Sequence, residues 1–352
     1  MKIGILTFYY CRNFGAVLQA FALKSSIEFL GNNAFFVDYK IPSLVRRYTL
    51  FSYYREKSIL GNMKGWITAL SDVKNRYTRI KRFNSFRRIY LNEEKVKRYM
   101  DANGIIVGSD QVWNPKLTYG YDRVYWGEMV KKNHIPHYTY AVSCPSMSIV
   151  HSVSSYLENF RYIGVREVEL QLKLEKYFGI TTELNVDPTL LFDAHFYENL
   201  ITHVCIPKGK YLFSYNLMGL NNLDKLSVQY AKEKTIELID RHDNFFRSAG
   251  PLEFLSLIKY ADMVFVSSFH GTVFSILFHK PFKVFLSGDE RDERIKSLLR
   301  TLDLGVCIHD DNLNLEHNID WSSVDEKLLE LRKKSFKYLE KIMLDCEKER
   351  SL

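Results

Sequence analysis

What most constrains this chain is a recurring unit: a short apolar, strand-like run breaks off at a small polar turn and passes into a helix-period segment. "KIGILTFYY" runs through Cys11-Arg12-Asn13 into "GAVLQAFALKSSIEFLG", a helix closed by Gly31, and then into "NAFFVDYK", a compact β-α-β opening. The unit returns at "ANGIIVGSDQVW", "HYTYAVSC", "YIGVREVE" and "NVDPTLLF". It restarts beyond Asp187-Pro188-Thr189, where the residue before proline favours a turn, with "KYLFSYNL", "TIELID", "MVFVSS" and "PFKVFL" separated by helical segments. The expected fold class is therefore α/β with two successive, mostly parallel units, residues 1–189 and 190–352. A charged amphipathic helix from about Ser322 to Cys346 closes the second, with Ser322 and Asp325 as its capping signal. A chain of 352 residues suffices for two such lobes.

The formal charge of +8 is unevenly placed: residues 41–100 hold 15 Lys/Arg against 4 Asp/Glu, so the remainder of the chain is slightly acidic. This segment, with "VRRY", "RYTRIKRFNSFRRIY" and "EKVKRY", reads as a basic helical insertion in the first unit. A solvated face, peripheral contact with an anionic membrane or glycan carrier, and nucleic acid all fit such a composition. Nucleic acid is not the expected partner. The opening run contains Gly4 and lacks a small-residue cleavage pattern, so it reads as a buried strand rather than a signal peptide. No apolar run reaches the 18 or so residues of a membrane span, and a cytoplasmic location follows as the expectation. The five cysteines show no ligand or disulfide spacing, and His134 and His137 have no neighbouring partner, so no metal is expected.

Parallel sheets bind ligands at the carboxyl ends of their strands, which makes the polar turns the candidate sites. In "CRNFGAVLQ", a helix start at Gly15-Ala16 offers backbone N–H groups to an anion beside Arg12 and Asn13, although one glycine falls short of a dinucleotide fingerprint. In "GSDQVWNP", Ser109, Asp110 and Gln111 reach a cleft edge and Trp113 either walls a pocket or caps the core. Asp110 either orients or deprotonates a hydroxyl, or caps the next turn. In "GVREVE", Arg166 suits a phosphate or carboxylate, with a salt bridge to Glu167 as the simpler alternative. In "SSFHGT", Ser267 and Ser268 end a strand, Gly271 permits close approach, and Thr272 is taken as the start of a helix whose amino end attracts anions. His270 stands where a proton donor or phosphate ligand is useful. His279, near the end of that helix, has an electrostatic role only, and no GxSxG elbow is present.

Taken in order, "TFYYCRNFGAVLQAFAL", "GSDQVWNP", "NVDPTLLF", "GPLEFLSLIKYAD" and "SSFHGTVFSILFHKPF" resemble the polysaccharide pyruvyl transferase family over residues 1 to about 300. The resemblance implies two Rossmann-like domains facing across a cleft, as in the GT-B architecture, and transfer of a pyruvyl group from phosphoenolpyruvate to sugar hydroxyls. The acceptor implied is a surface polysaccharide or its lipid-linked precursor. By resemblance His270 is the donor-site histidine and Arg166 matches an "REK"-like segment, with Val168 where a lysine is common. The familiar Ser-Phe-Gly is replaced by Ser143-Cys144-Pro145.

Phosphoenolpyruvate carries two anionic groups, so two anion sites are expected: the helix start with Ser268, Gly271 and Thr272, and Arg166 or Arg294 for the carboxylate. Asp110 is the candidate for handling the acceptor hydroxyl. The route calls for no cofactor and no metal. Two other readings use the same architecture: a sugar-nucleotide glycosyltransferase and a noncatalytic glycan-binding protein.

Overall fold

The computed structural model describes residues 1–46, 72–92, 99–129, 134–144, 150–204, 207–310 and 318–351. Among the described residues, ten strands form two sheets. The first contains β1 (Lys2–Leu6), β2 (Asn33–Phe36), β3 (Gly104–Asp110), β4 (His137–Val142), β5 (Phe160–Val165) and β6 (Glu183–Leu184) in the order β2-β1-β3-β4-β5-β6. The second contains β7 (Tyr211–Tyr215), β8 (Glu237–Ile239), β9 (Met263–Val266) and β10 (Phe282–Val284) in the order β10-β9-β7-β8. Every pairing is parallel. Central strands are apolar on both faces because helices cover both; Ile3, Ile5, Ile105, Ile106 and Val107 are all fully buried. The fold is thus the expected α/β pair of Rossmann-like sheets in a GT-B-like arrangement.

Strand order reverses between β1 and β3 in the first sheet and between β7 and β9 in the second, and such switch points leave a crevice at the strands' carboxyl ends. The helix Phe14–Phe29, which follows β1, lies between the two units. It is buried on every side over its first ten residues, as its all-round apolar sequence requires. Phe14 stacks on Phe254 of the second unit at 4.4 Å with the rings 6° apart, so the amino end of this helix is fixed relative to both sheets.

The basic segment supplies a helix, Val73–Phe86, that braces the units together. Its Phe83 and Phe86 are buried, Arg82 pairs with Glu253 at 2.9 Å and donates to the Ser248 carbonyl, and Arg79 lies 4.4 Å above the Phe14 ring. Part of the charge that composition leaves unassigned is therefore satisfied inside the protein. Residues 47–71 and 93–98, including most of "VRRYTLFSYYREK", lie outside the described residues.

The terminal helix Trp321–Ser351 departs from expectation at its start. Asp320, not Ser322, supplies its cap, accepting from the Ser323 N–H at 3.1 Å. Its contacts lead back to the first sheet: Tyr338 donates to the Thr139 carbonyl, Tyr138 donates to Asp345, and Ser335 accepts from the Val186 N–H. His279 stacks on Trp321 and lies 3.0 Å from Asp325, which ties it to this helix.

Candidate active site

A cavity of about 310 Å³ opens where the two switch points face each other. Asn13, Gly15, Asp110 and Gln111 line it from the first unit, and Tyr215, Ser268, Phe269, His270 and Arg294 from the second. Its size sits at the lower end of ligand pockets and suits a small metabolite.

The "SSFHGT" turn is more helical than its sequence suggests. The helix runs Phe269–Leu277, and Ser268 is its cap, with Oγ accepting from the Gly271 N–H at 3.0 Å. His270 and Gly271 thus belong to the first turn, and the helix does not begin at Thr272. Thr272 is fully buried and donates to the Ser268 carbonyl, so it offers nothing to a ligand. The start of the Phe14–Phe29 helix faces the same space, with Asn13 as its cap accepting from the Ala16 N–H. Two helix amino ends converge on one cavity, which favours an anion there.

His270 lies against Gly15. A Cβ built on Gly15 would stand 2.5 Å from both Cγ and Cε1 of the imidazole and nearer still to Nδ1, so only glycine leaves room for the ring. The far nitrogen, Nε2, is buried and turned toward Asp187 Oδ1 at 3.7 Å. Asp187 is almost fully buried and accepts from Arg166 Nη1 at 2.6 Å and from the Thr189 N–H and hydroxyl. Burial alone would raise its carboxyl, but His270, Arg166 and Thr189 outweigh this and hold it well below the ordinary carboxylate range. In the sequence Asp187 marks a boundary turn and falls within the family-like "NVDPTLLF"; in the structure it is the carboxylate behind the histidine. An Asp-Pro pair gives no hint of this, because the contact spans 83 residues.

Arg294 projects into the cavity from the helix Glu293–Thr301, and the Gln111 amide oxygen, turned toward it, accepts from Nε and Nη2 at 3.2 Å. Burial and the neighbouring Arg166 lower its guanidinium to about 10, still a cation at neutral pH. Phe269 stands between the two arginines, with guanidinium carbons 4.7 Å (Arg166) and 5.6 Å (Arg294) from its ring centre. Arg166 does not line the donor cavity. It is buried behind Phe269 and bonded to Glu167 and Asp187, so its salt bridge, the simpler of the two readings, is what forms.

Asp110 is half-buried on the cavity wall at φ 76°, a left-handed backbone that costs a non-glycine residue roughly 1–2 kcal/mol. Its Oδ1 accepts from the Gln111 N–H, so it both shapes its own turn and faces the cavity. Ser109 and Trp113 do not reach the cavity. Ser109 is fully buried against the Ala141 carbonyl, and Trp113 is a core residue stacked on Trp126 at 4.3 Å. Arg12 is half-buried and outside the lining. Among the described residues no cluster of three or more His, Cys, Asp or Glu is arranged to hold a metal ion, and no helix is long and apolar enough to cross a membrane.

Two facing Rossmann-like units with an anion-seeking cavity between them place the chain in the GT-B-like class of folds. The model of the polysaccharide pyruvyl transferase family matches residues 13–288, and the chain belongs to that family. It is accordingly an enzyme of pyruvyl-transferase type, using phosphoenolpyruvate as donor and a polysaccharide or its precursor as acceptor. No curated protein matches the chain. Among solved structures, it resembles UDP-GlcNAc 2-epimerase from Methanocaldococcus jannaschii (10% identity, 98% of this chain and 99% of that one, TM-score 0.50). It resembles UGT89C1 of Arabidopsis thaliana with the same identity, coverage and score. At that identity the likeness concerns the fold alone.

Proposed function

We propose that the cavity between the two switch points is the phosphoenolpyruvate site and that His270 is its proton donor. The observation that carries this reading is the convergence of His270, Arg294 and two helix amino ends on one small cavity. Arg294, held by Gln111, presents its fork to the donor carboxylate, while the amides at the start of Phe269–Leu277 and Phe14–Phe29 take the phosphate. Arg166 acts as a positioning residue that fixes Asp187.

In this mechanism His270, protonated and oriented by Asp187, delivers a proton to the methylene carbon of the enol. Positive character then develops at the carbon bearing the phosphate oxygen, and a sugar hydroxyl attacks there. The bond from that carbon to the phosphate oxygen breaks, and a second hydroxyl of the same sugar closes the ketal. Two hydroxyl protons are released for the one consumed: one restores His270 and the other leaves with phosphate. Asp110 orients or deprotonates the attacking hydroxyl.

The same reading sets the reaction in the cytoplasm; Cys11, Cys144, Cys307 and Cys346 are buried and none of these four forms a disulfide. It takes a lipid-linked glycan as the acceptor, with peripheral contact through the basic residues of 41–100. The test is a combined phosphate-release and product-mass assay with phosphoenolpyruvate and a panel of saccharides. Wild-type protein is expected to release phosphate and add one pyruvyl ketal, and His270→Ala to lose at least about 100-fold in kcat. Unchanged turnover in that variant removes His270 from the mechanism.

A further inference from the structure

The terminal helix Trp321–Ser351 packs one face on the first sheet and leaves the opposite face open. On the open face Leu329, Lys333, Phe336, Glu340 and Leu344 recur at intervals of three and four residues, which stacks them along one side of the helix. Leu329 is 49% exposed and Leu344 58%. A groove of about 580 Å³ runs along this stripe, lined by Phe336, Phe192 and Phe29, and Phe29 is 74% exposed. The Phe336 ring lies 5.8 Å from that of Phe29 and edge-on to Phe192. Large apolar side chains gathered in water along one stripe mark a surface that takes a partner.

The charges on the stripe decide which partner. Lys333 and Glu340 are opposite in sign, and the midpoint between them falls between Phe336 and Lys337; Leu329 and Leu344 share that midpoint. A two-fold axis through this point lays a second copy of the helix antiparallel on the first. It sets Lys333 opposite the partner's Glu340, and Leu329 opposite the partner's Leu344, each contact occurring twice. A parallel pairing would instead set like charge on like. An anionic membrane suits the stripe less well, because Lys333 and Lys337 are balanced by Glu340 and Glu347. Lys333 already pairs with Glu330 at 2.8 Å, but that pair is exposed and contributes less than about 1 kcal/mol, so the ammonium can bridge to a second carboxylate.

We propose that this face joins two copies of the chain as an antiparallel helix pair, with the partner's Leu344 seated beside Leu329 and Phe29 in the groove. The proposal does not depend on the donor reading. The groove meets the helix Phe14–Phe29 at its carboxyl end, about 22 Å along the axis from the amino end that lines the donor cavity, so the pairing face and that cavity lie at opposite ends of one helix.

Sedimentation velocity on the full chain between about 1 and 100 μM reads the association directly. A species of twice the chain mass is expected. Leu344→Asp, Lys333→Glu and Glu340→Lys should each raise its Kd at least about tenfold, since either charge reversal places two like-charged pairs in the interface. The two reversal variants mixed in equal amounts are expected to dimerise again, because each chain then offers the charge that the other lost. That recovery also reports that both variants are folded. A wild-type monomer throughout this range, a dimer whose Kd none of the three substitutions changes, or reversal variants that fail to recover on mixing overturns the proposal. So does binding of the wild-type chain to phosphatidylglycerol vesicles that Leu344→Asp abolishes, which assigns the stripe to a membrane instead.

Discussion

Gly15→Ala is the most demanding test of the donor geometry, because it adds one methyl group and removes no functional atom. In a helix interior alanine is favoured over glycine by about 1 kcal/mol, so on propensity alone the variant gains stability. At this position the new Cβ would stand 2.5 Å from Cγ and Cε1 of His270 and nearer still to Nδ1, against the 3.4 Å of ordinary contact, so the ring must retreat by more than about 1 Å. The helix has no room to yield instead, since Phe14 is clamped between Phe254 and Phe83. A misplacement of that size costs a catalytic group about 100-fold, or about 2.7 kcal/mol in the barrier. Phosphate release with phosphoenolpyruvate, read beside a thermal melt, is the assay. The expected result is kcat lower by about two orders of magnitude with a melting temperature within a few degrees of wild type. Wild-type kcat in a folded Gly15→Ala protein would refute the claim that the imidazole works from its seat on this glycine.

Asp187→Asn is expected to lower kcat and to destabilise the fold by about 3 kcal/mol at neutral pH, since it leaves Arg166 buried without its full counter-charge. The Asp187 carboxyl is depressed in the folded state, so its contribution is present above the ordinary value near 3.8 and is lost as pH falls below it. The stability gap between wild type and variant, followed by denaturant titration, should therefore close only in that acid range. Arg294→Lys keeps a charge but loses the fork, and should raise the phosphoenolpyruvate KM about tenfold in steady-state assays while His270-dependent chemistry persists. Arg82→Ala removes the partner of Glu253 and of the Ser248 carbonyl, and should cost about 1–2 kcal/mol in thermal unfolding. Tyr338→Phe, which deletes a buried donor to the Thr139 carbonyl, should cost about 1 kcal/mol and speed proteolysis of the terminal helix.

Much of the fold is legible because parallel strands buried on both faces leave unbroken apolar runs such as "GIIV" and "MVFV", each ending at a turn that names its site. His270, Asp110, Gln111, Asn13 and Gly15 stand at such ends, and the structure brings them to one cavity with Arg294, which comes from the helix Glu293–Thr301. Errors arise where a side chain's direction, not its position, decides. Ser109 and Trp113 flank Asp110 in the chain yet turn into the core, and Arg166 reaches inward to Asp187. The sequence points to a helix start at Thr272, whereas the Ser268 cap makes Phe269 the first helical residue. The role of Asp187 is hidden for another reason: it lies in a contact with His270 made across elements, which spacing along one element does not encode.

The return of the terminal helix to the first sheet has a consequence for how the molecule is made. Tyr138 and Asp345 are 207 residues apart, so this face of the first sheet stays uncovered until almost the whole chain has been synthesised. During translation the second sheet can close on local contacts, while the first waits for a helix that arrives last, so chain order and folding order are reversed in part. Because the cavity wall carrying Asp110 belongs to the first unit and His270 to the second, the two halves of the site mature separately. Catalytic competence is then gained in one late docking step, and a chain stalled before that helix would carry every site residue without an assembled site.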